Sequence, residues 1–257
     1  MVTVFLVAGG ILAVFMTCVF LIGLAKQDNS IVDVAWGIGF ILITLYAFFS
    51  TGTYLARQIL VTTLVVVWGV RISVHIFIRN WGKEEDHRYQ AFRMSWRPYF
   101  VLKSFFYIFM LQGFLIWVID YPVIFTNAST AMPPLGVLDV VGMVIWLIGF
   151  AFEAIGDYQL KKFIDNPANT GKICKVGLWR YTRHPNYFGE VTMWWGIFLI
   201  VLSVPWGWTG VISPLTVTYL LMFVSGVPMA ERIFEKNEEY AQYKKETSAL
   251  IPWFPRI

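Results

Sequence analysis

The chain has 257 residues and a formal net charge of +4, with 58% hydrophobic and only 14% charged residues and a mean hydropathy of +0.63. Soluble domains carry about 25% charged residues, so this composition excludes an ordinary soluble domain and predicts an integral membrane protein. Its two cysteines, Cys18 and Cys174, do not make a disulfide framework. No repeat, low-complexity tract or metal-binding motif is found.

Apolar segments long enough to cross a membrane, which takes about 20 residues, recur along the chain. They cover about 2–25, 31–50, 58–78, 99–119, 136–157, 186–204 and 209–229. The sequence therefore predicts an all-α integral membrane protein with seven transmembrane helices, forming a single membrane domain over 1–257.

The basic residues are sorted by membrane side. If the N-terminus is outside, every Lys and Arg except Arg57 and Arg71 falls in an inner segment. This asymmetry predicts an outside N-terminus and a cytoplasmic C-terminus. Because the bilayer explains the charge pattern, no nucleic-acid partner is predicted. We expect a multi-pass monomer in contact with membrane lipid, in a bacterial inner membrane.

A polar motif lies where the sixth predicted span begins. A residue before proline is pushed out of the helical region, so we expect an extended His184 and a helix that begins at Pro185. The free N–H groups and the dipole of that helix favour an anion in front of Asn186. The motif is therefore a candidate anion site.

Two arginines and a glutamate complete this motif. Arg180 and Arg183, beside the helix start, make phosphate the expected anion. Glu190 lies one turn inside the helix, on the same face as Asn186 and Tyr187. A carboxylate in an apolar helix is costly and is expected to have a partner. The alternative is a solvated segment that binds lipid head groups.

Asp33 begins the second predicted helix. An acidic residue in the first turn, behind a capping Ser30, complements the helix dipole, and this structural role stands beside a role in a polar site. Trp36 is either an interfacial residue or a substrate contact.

The third predicted helix carries Arg71 and His75 four residues apart on one face, with Arg79 and Asn80 following on roughly the same face. A guanidinium at this depth needs a carboxylate partner, so a structural salt bridge is one interpretation. The other is the wall of a polar cavity, in which His75 is a candidate proton donor.

Charged residues also mark two cytoplasmic segments. Glu153, Asp157 and Lys161 form a ladder of i, i+4 neighbours that either stabilises the helix or leaves Asp157 to accept from ribose hydroxyls. The C-terminal tail from Glu231 is expected to be mostly a solvated helix with an aromatic anchor at the membrane surface.

These motifs resemble the membrane-embedded steroid 5α-reductase family, in its bacterial, DUF1295-type branch of 3-oxo-5-alpha-steroid 4-dehydrogenase-like proteins. The resemblance covers nearly the whole chain and is densest in Asp157-Tyr158-Gln159-Leu160-Lys161, Gly177 to Glu190, Arg79 to Tyr89, and Tyr243 with Ala249-Leu250-Ile251-Pro252. Asn186 and Glu190 are similar to the Asn and Glu that hold the nicotinamide carboxamide of NADPH in the family.

The resemblance implies an oxidoreductase that reduces the C=C bond of a lipophilic enone, such as a 3-oxo-Δ4-steroid, with NADPH. Hydride reaches the β-carbon while a donor polarises the carbonyl. The family's Glu of the second helix and Tyr of the third are missing, and Asp33 and His75 are the nearest substitutes. With Arg71 and Tyr89 they form the expected catalytic set, and Trp36 is expected to contact the substrate.

The cofactor is expected to occupy the last three helices and their loops, about 136–257, and the enone a cavity in the first four, about 1–120. The residues expected to bind NADPH are Arg79, Asn80, Lys83, Asp86, Arg88, Asp157, Lys161, Lys172, Arg180, Tyr181, Arg183, His184, Asn186, Tyr187, Glu190, Arg232, Tyr240 and Tyr243.

Two other classes of function stay open. Isoprenylcysteine carboxyl methyltransferases, which bind S-adenosylmethionine, share Arg-His-Pro-x-Tyr-x-Gly and a final Tyr-x-x-Tyr, found here as Tyr240 to Tyr243. Glu190 and the surplus of basic residues favour the reductase, since S-adenosylmethionine carries no phosphate. A non-enzymatic transporter or lipid-binding protein is the other alternative, and the lack of repeats argues against it.

Overall fold

A computed structural model describes residues 1–256 as an all-helical chain. Within this part the one piece of β-structure is an isolated parallel bridge between Thr182 and Ser248. The predicted all-α class is confirmed.

Six of the described helices are long and apolar enough to cross a membrane: Val2–Lys26, Ile31–Thr51, Ala56–Asn80, Phe100–Ile119, Val137–Ile164 and Gly207–Arg232. The remaining predicted span, 186–204, forms the helix Pro185–Val201, whose 17 residues make it shorter than these six. The structure also contains three shorter helices outside these spans: His87–Ser95, Tyr121–Asn127 and Glu238–Glu246.

The chain divides into two compact units. Met1–Leu135 with Val201–Gly210 form the first, and Gly136–Ile200 with Val211–Ile257 form the second. In the first unit the helices Ile31–Thr51 and Ala56–Asn80 pack backbone to backbone at Gly37. A Cβ at this position would lie only 2.5 Å from the carbonyl oxygen of Gly69. That distance leaves no room for any side chain at position 37.

Polar side chains hold the segment that follows Phe100–Ile119 in the first unit. Arg57, the one basic residue expected on the outer side, is 2% exposed and donates to the carbonyls of Pro133 and Pro134 at 2.9 and 3.0 Å. Gln58 donates to the carbonyls of Asn127 and Ser129 at 3.0 and 3.1 Å. Arg57 and Gln58 therefore fasten a segment that has no Lys or Arg of its own.

Asp120 is fully buried in this region. Thr44 Oγ1 donates to its Oδ2 at 2.8 Å, while its Oδ1 has no hydrogen-bond partner among residues 1–256. We expect Thr44→Val to lower the free energy of unfolding by about 1–3 kcal/mol, because the buried carboxyl loses its donor. Thermal unfolding in detergent measures this, with Thr17→Val as the control, since Thr17 makes only a local, exposed bond to Ala13. Equal effects of the two changes would contradict the prediction.

The second unit is organised by close contact between the helices Val137–Ile164 and Pro185–Val201. A Cβ on Gly149 would lie 2.6 Å from the carbonyl oxygen of Gly189, and one on Gly189 would lie 2.5 Å from that of Gly149. The contact continues to the start of the second helix, where a Cβ on Gly156 would be 3.2 Å from the Asn186 nitrogen. It brings the polar motif beside Asp157.

Candidate functional site

Asp157 and Asn186 meet where these two helices touch. Asn186 Nδ2 donates to Asp157 Oδ1 at 3.1 Å. Asp157 is buried and Asn186 half-buried, and Glu190 is half-buried one turn further along the same helix. The structure thus joins two residues that the sequence analysis assigned to the cofactor, one to the ribose and the other to the nicotinamide. Their assigned roles remain predictions.

The helix begins at Pro185, as predicted, and His184 precedes it. The His184 ring stacks on Tyr187 with centroids 5.1 Å apart and an angle of 12° between the rings. Burial lowers the pKa of His184 more than its contact with Glu231 raises it, so the imidazole is neutral at pH 7.

Arg183 is 6% exposed and bonded inside the second unit. Its Nε and Nη2 lie 2.8 Å from Oε1 of Glu231. Its Nη1 donates to the carbonyls of Lys244 and Thr247. The side chain that the sequence analysis assigned to a phosphate therefore spends its donors on the protein, and a phosphate there would have to displace Glu231.

Glu231 is a residue that the sequence analysis missed as part of the site. Its buried carboxylate accepts from Arg183, lies 3.2 Å from His184 Nε2 and pairs with Lys244 Nζ at 2.7 Å. The available signal was its position, because a carboxylate at the end of an apolar span is costly without a partner.

The C-terminal segment contacts the polar motif through a few side chains and carbonyls, while most of the tail is exposed, as expected. The nitrogen of Arg183 donates to the carbonyl of Ser248 at 2.9 Å, and Thr182 Oγ1 donates to that of Leu250 at 2.8 Å. Tyr243 donates to the carbonyl of Trp179. Burial raises the pKa of Tyr240 and Tyr243, so both phenols keep their protons at neutral pH.

Other residues predicted for the cofactor in the second unit are exposed. These are Lys161, Lys172, Arg180, Tyr181 and Arg232. Lys161 pairs with Asp165 at 2.6 Å. A phosphate in solution can reach these exposed side chains, whereas Arg183 is buried.

In the first unit the structure joins Asp33, Arg88 and Tyr89. Tyr89 Oη donates to Asp33 Oδ1 at 2.5 Å, and Arg88 Nη2 donates to Asp33 Oδ2 at 2.7 Å. Burial and the charge on Asp33 raise the pKa of Tyr89, so the phenol stays protonated. A hydroxyl donor thus lies against a carboxylate whose charge an arginine neutralises.

The loop before His87–Ser95 is fastened to the start of Ile31–Thr51. Asp86 accepts from Arg88 Nε at 3.0 Å. Burial alone would raise the pKa of Asp86, but the contacts with Arg88 outweigh burial and lower it. Ser30 makes no side-chain cap on its own helix and instead accepts from the Asp86 nitrogen at 2.7 Å. The expected Ser30 cap is therefore corrected. This hydroxyl fixes the loop that carries Tyr89.

The remaining predicted residues of this unit lie on or near the helix Ala56–Asn80, apart from Trp36. Arg71 and His75 are half-buried one turn apart, and their catalytic roles stay predictions. Arg79 is exposed with its Nε 3.3 Å from Asn80 Oδ1. Lys83 is exposed and Trp36 half-buried; the Trp36 ring packs on Phe40 with centroids 5.4 Å apart.

The comparisons with known proteins point to two kinds of enzyme. The family described as "Protein of unknown function (DUF1295)" matches residues 19–247. The bovine 3-oxo-5-alpha-steroid 4-dehydrogenase 1 is 32% identical over 113 residues, 44% of this chain and 40% of the bovine protein. The human protein of that name is 30% identical over 116 residues, with the same two shares.

The second kind is a methyltransferase. Methanethiol S-methyltransferase 1 of Bradyrhizobium diazoefficiens is 31% identical over 105 residues, 40% of this chain and 34% of that protein. The chain thus spans about 40% of the length of the steroid dehydrogenases and less of the methyltransferase. No solved structure matches.

Proposed function

We propose that this chain, which belongs to the family described as "Protein of unknown function (DUF1295)", is an NADPH-dependent membrane reductase. Its substrate is a lipophilic enone, such as a 3-oxo-Δ4-steroid, taken from the bilayer. The similarity to 3-oxo-5-alpha-steroid 4-dehydrogenase 1 supports the reaction class. The contact of Tyr89 with Asp33 carries the proposal, because reduction of an enone needs a donor at the carbonyl oxygen.

The residues of the second unit fit NADPH. Asp157 supplies a buried carboxylate that can accept from ribose hydroxyls, and Asn186 supplies an amide suited to a carboxamide. Exposed Lys172 and Arg180 are suited to its phosphates. Glu190 lies one turn from Asn186 and is proposed to hold the same carboxamide. When bound, the cofactor supplies a hydride.

The first unit is proposed to supply the proton donor. The Tyr89 hydroxyl turns from Asp33 to the carbonyl oxygen of the enone and stabilises the negative charge that builds there. Arg88 keeps Asp33 neutralised when the hydroxyl leaves it. The donor is therefore Tyr89 in this proposal, with His75 second.

The proposed arrangement in the membrane keeps seven spans, with the N-terminus outside and the C-terminus in the cytoplasm of a bacterial cell. The helix Pro185–Val201, with 17 residues, is at the short end of the range for a spanning helix, about 17–25 residues. The distribution of Lys and Arg supports this orientation. The basic residues then face cytoplasmic NADPH.

A second candidate is methyl transfer from S-adenosylmethionine to a thiol. The similarity to Methanethiol S-methyltransferase 1 favours it. Methyl transfer to a thiolate needs no donor at a carbonyl oxygen, so it leaves the Tyr89–Asp33 contact without a chemical role.

A thermal-shift titration of the detergent-purified protein separates these functions. We expect NADPH to raise the unfolding temperature and S-adenosylmethionine to leave it unchanged, since ligand binding stabilises the folded state. Glu190→Gln and Asn186→Ala should each weaken the NADPH-induced shift at least tenfold in apparent affinity. Glu239→Gln is the matched control, because Glu239 pairs with Lys175 on the surface.

Stabilisation by S-adenosylmethionine alone would overturn the reductase proposal in favour of methyl transfer. No shift with either compound would favour the transporter or lipid-binding alternative.

A further inference from the structure

The carboxylate of Glu231 is buried between the polar motif and the C-terminal helix Glu238–Glu246. It is 7% exposed, and its neighbours are Arg183 at 2.8 Å, Lys244 at 2.7 Å and His184 Nε2 at 3.2 Å. Two cations at this distance keep a carboxylate ionised. Glu231 is therefore an acceptor only.

Because Glu231 can only accept, it determines which ring nitrogen of His184 carries the hydrogen. An ionised carboxylate cannot donate, so the ring nitrogen that faces it, Nε2, must carry the hydrogen. A neutral imidazole has one N–H, so Nδ1 is left with its lone pair.

We propose that Glu231 is a positioning residue for the cofactor: it holds His184 as the Nε2–H tautomer and so presents Nδ1 as an acceptor to an O–H or N–H group of the bound nucleotide. The inference rests on the proposed function, because it concerns how the same site is held. It adds a role for a residue in the tail, which lies 47 positions after His184.

The same carboxylate fixes the backbone that carries His184. Arg183 joins Glu231 and, on its other side, donates to the carbonyls of Lys244 and Thr247. The stack of His184 on Tyr187 restrains the ring from one face. The opposite tautomer would place the Nε2 lone pair against a negative charge, which disfavours it. Carboxylate partners set the tautomer of histidines in this way at other sites.

Nitrogen NMR of the protein labelled with 15N-histidine tests the tautomer directly. The chain has three histidines, and His184→Gln identifies the signal of His184. We expect the Nε2–H form in the wild type. Glu231→Gln should convert it to a mixture of both forms, because a glutamine side chain can either donate or accept. Glu239→Gln, the same change on the surface of the tail, should leave the signal as it is.

The NADPH affinity is then measured on the same samples by thermal shift. Glu231→Gln should weaken it at least tenfold and Glu239→Gln by less than twofold. An Nδ1–H form in the wild type, or an unchanged tautomer in a folded Glu231→Gln protein, would overturn the inference. So would a changed tautomer with unchanged affinity.

The experiment distinguishes a failure of the proposed function from a failure of the inference about Glu231. If the wild type binds no NADPH, the proposed function is wrong, whatever the tautomer. If Glu231→Gln does not fold, the wild-type tautomer still decides. Lys244→Met gives a second variant, because Lys244 is more than half exposed and its loss leaves Glu231 bonded to Arg183 and His184. Its expected result is the wild-type tautomer, and a mixture would contradict the inference.

Discussion

Tyr89→Phe is expected to lower the turnover number for an enone by about 10²–10⁴-fold, the usual contribution of a positioned acid. The substitution removes one oxygen atom and keeps the buried ring, which is 4% exposed. Without the hydroxyl, no proton is at hand for the carbonyl oxygen, and Asp33 loses the donor that lies 2.5 Å away. Steady-state oxidation of NADPH in the presence of a 3-oxo-Δ4-steroid measures the effect.

The affinity for NADPH should stay within twofold of the wild type, because Tyr89 belongs to the proposed substrate side. Loss of turnover with intact cofactor binding separates a missing donor from a misfolded protein. Tyr99→Phe is the matched control: it makes the same change ten residues further along the chain, at a ring that is 65% exposed. We expect wild-type turnover from it.

Wild-type turnover in Tyr89→Phe would assign the donor elsewhere, and His75→Gln would be measured next. Asp33→Asn gives an independent check. It keeps an acceptor for the phenol but removes the charge that Arg88 pairs with at 2.7 Å. Its expected effect is a smaller loss of turnover, because the hydroxyl remains but is held less well.

The sequence was sufficient for the helices, because each span is a long apolar run whose position depends on local composition alone. The start of Pro185–Val201 was also predicted, since proline restricts the residue before it and favours the first turn. The sixth predicted span, 186–204, is the informative difference. Its apolar run continues to residue 204, but the helix ends at Val201, and Val204 lies in the turn that follows.

The contacts within the site were harder to predict, because their partners are distant in the sequence. Asp33 was seen as a helix start or a site residue, but its bond to Tyr89 joins positions 56 apart. No local pattern ranks Tyr89 above His75 as the donor. The sequence analysis therefore assigned the donor role to His75 and kept Tyr89 as a further member of the catalytic set.

Arg180 and Arg183 show the same limit within a single motif. Both are basic and lie next to a helix start, so the sequence makes them equivalent phosphate ligands. In the structure Arg180 is exposed, whereas Arg183 is buried against Glu231, which lies 48 positions away. Burial of one and exposure of the other depend on the tail folding back, and nothing near residue 183 encodes that.

Arg183→Gln is therefore expected to destabilise the ligand-free protein by about 3–5 kcal/mol, the usual cost of removing one partner from a buried ion pair. Glu231 loses two of its short contacts, at 2.8 Å, and the carbonyls of Lys244 and Thr247 lose their donor. Thermal or denaturant unfolding in detergent, without any ligand, measures the change.

Arg180→Gln is the matched control and should show the opposite pattern. Its side chain is exposed, so the stability should change by less than about 0.5 kcal/mol. The affinity for NADPH should instead fall, because a charged phosphate contact is lost. If Arg183→Gln proved as stable as the wild type and lost only NADPH affinity, the structural role would be wrong and the phosphate role that the sequence predicts would hold. The two arginines thus separate a residue that builds the site from one that binds the ligand.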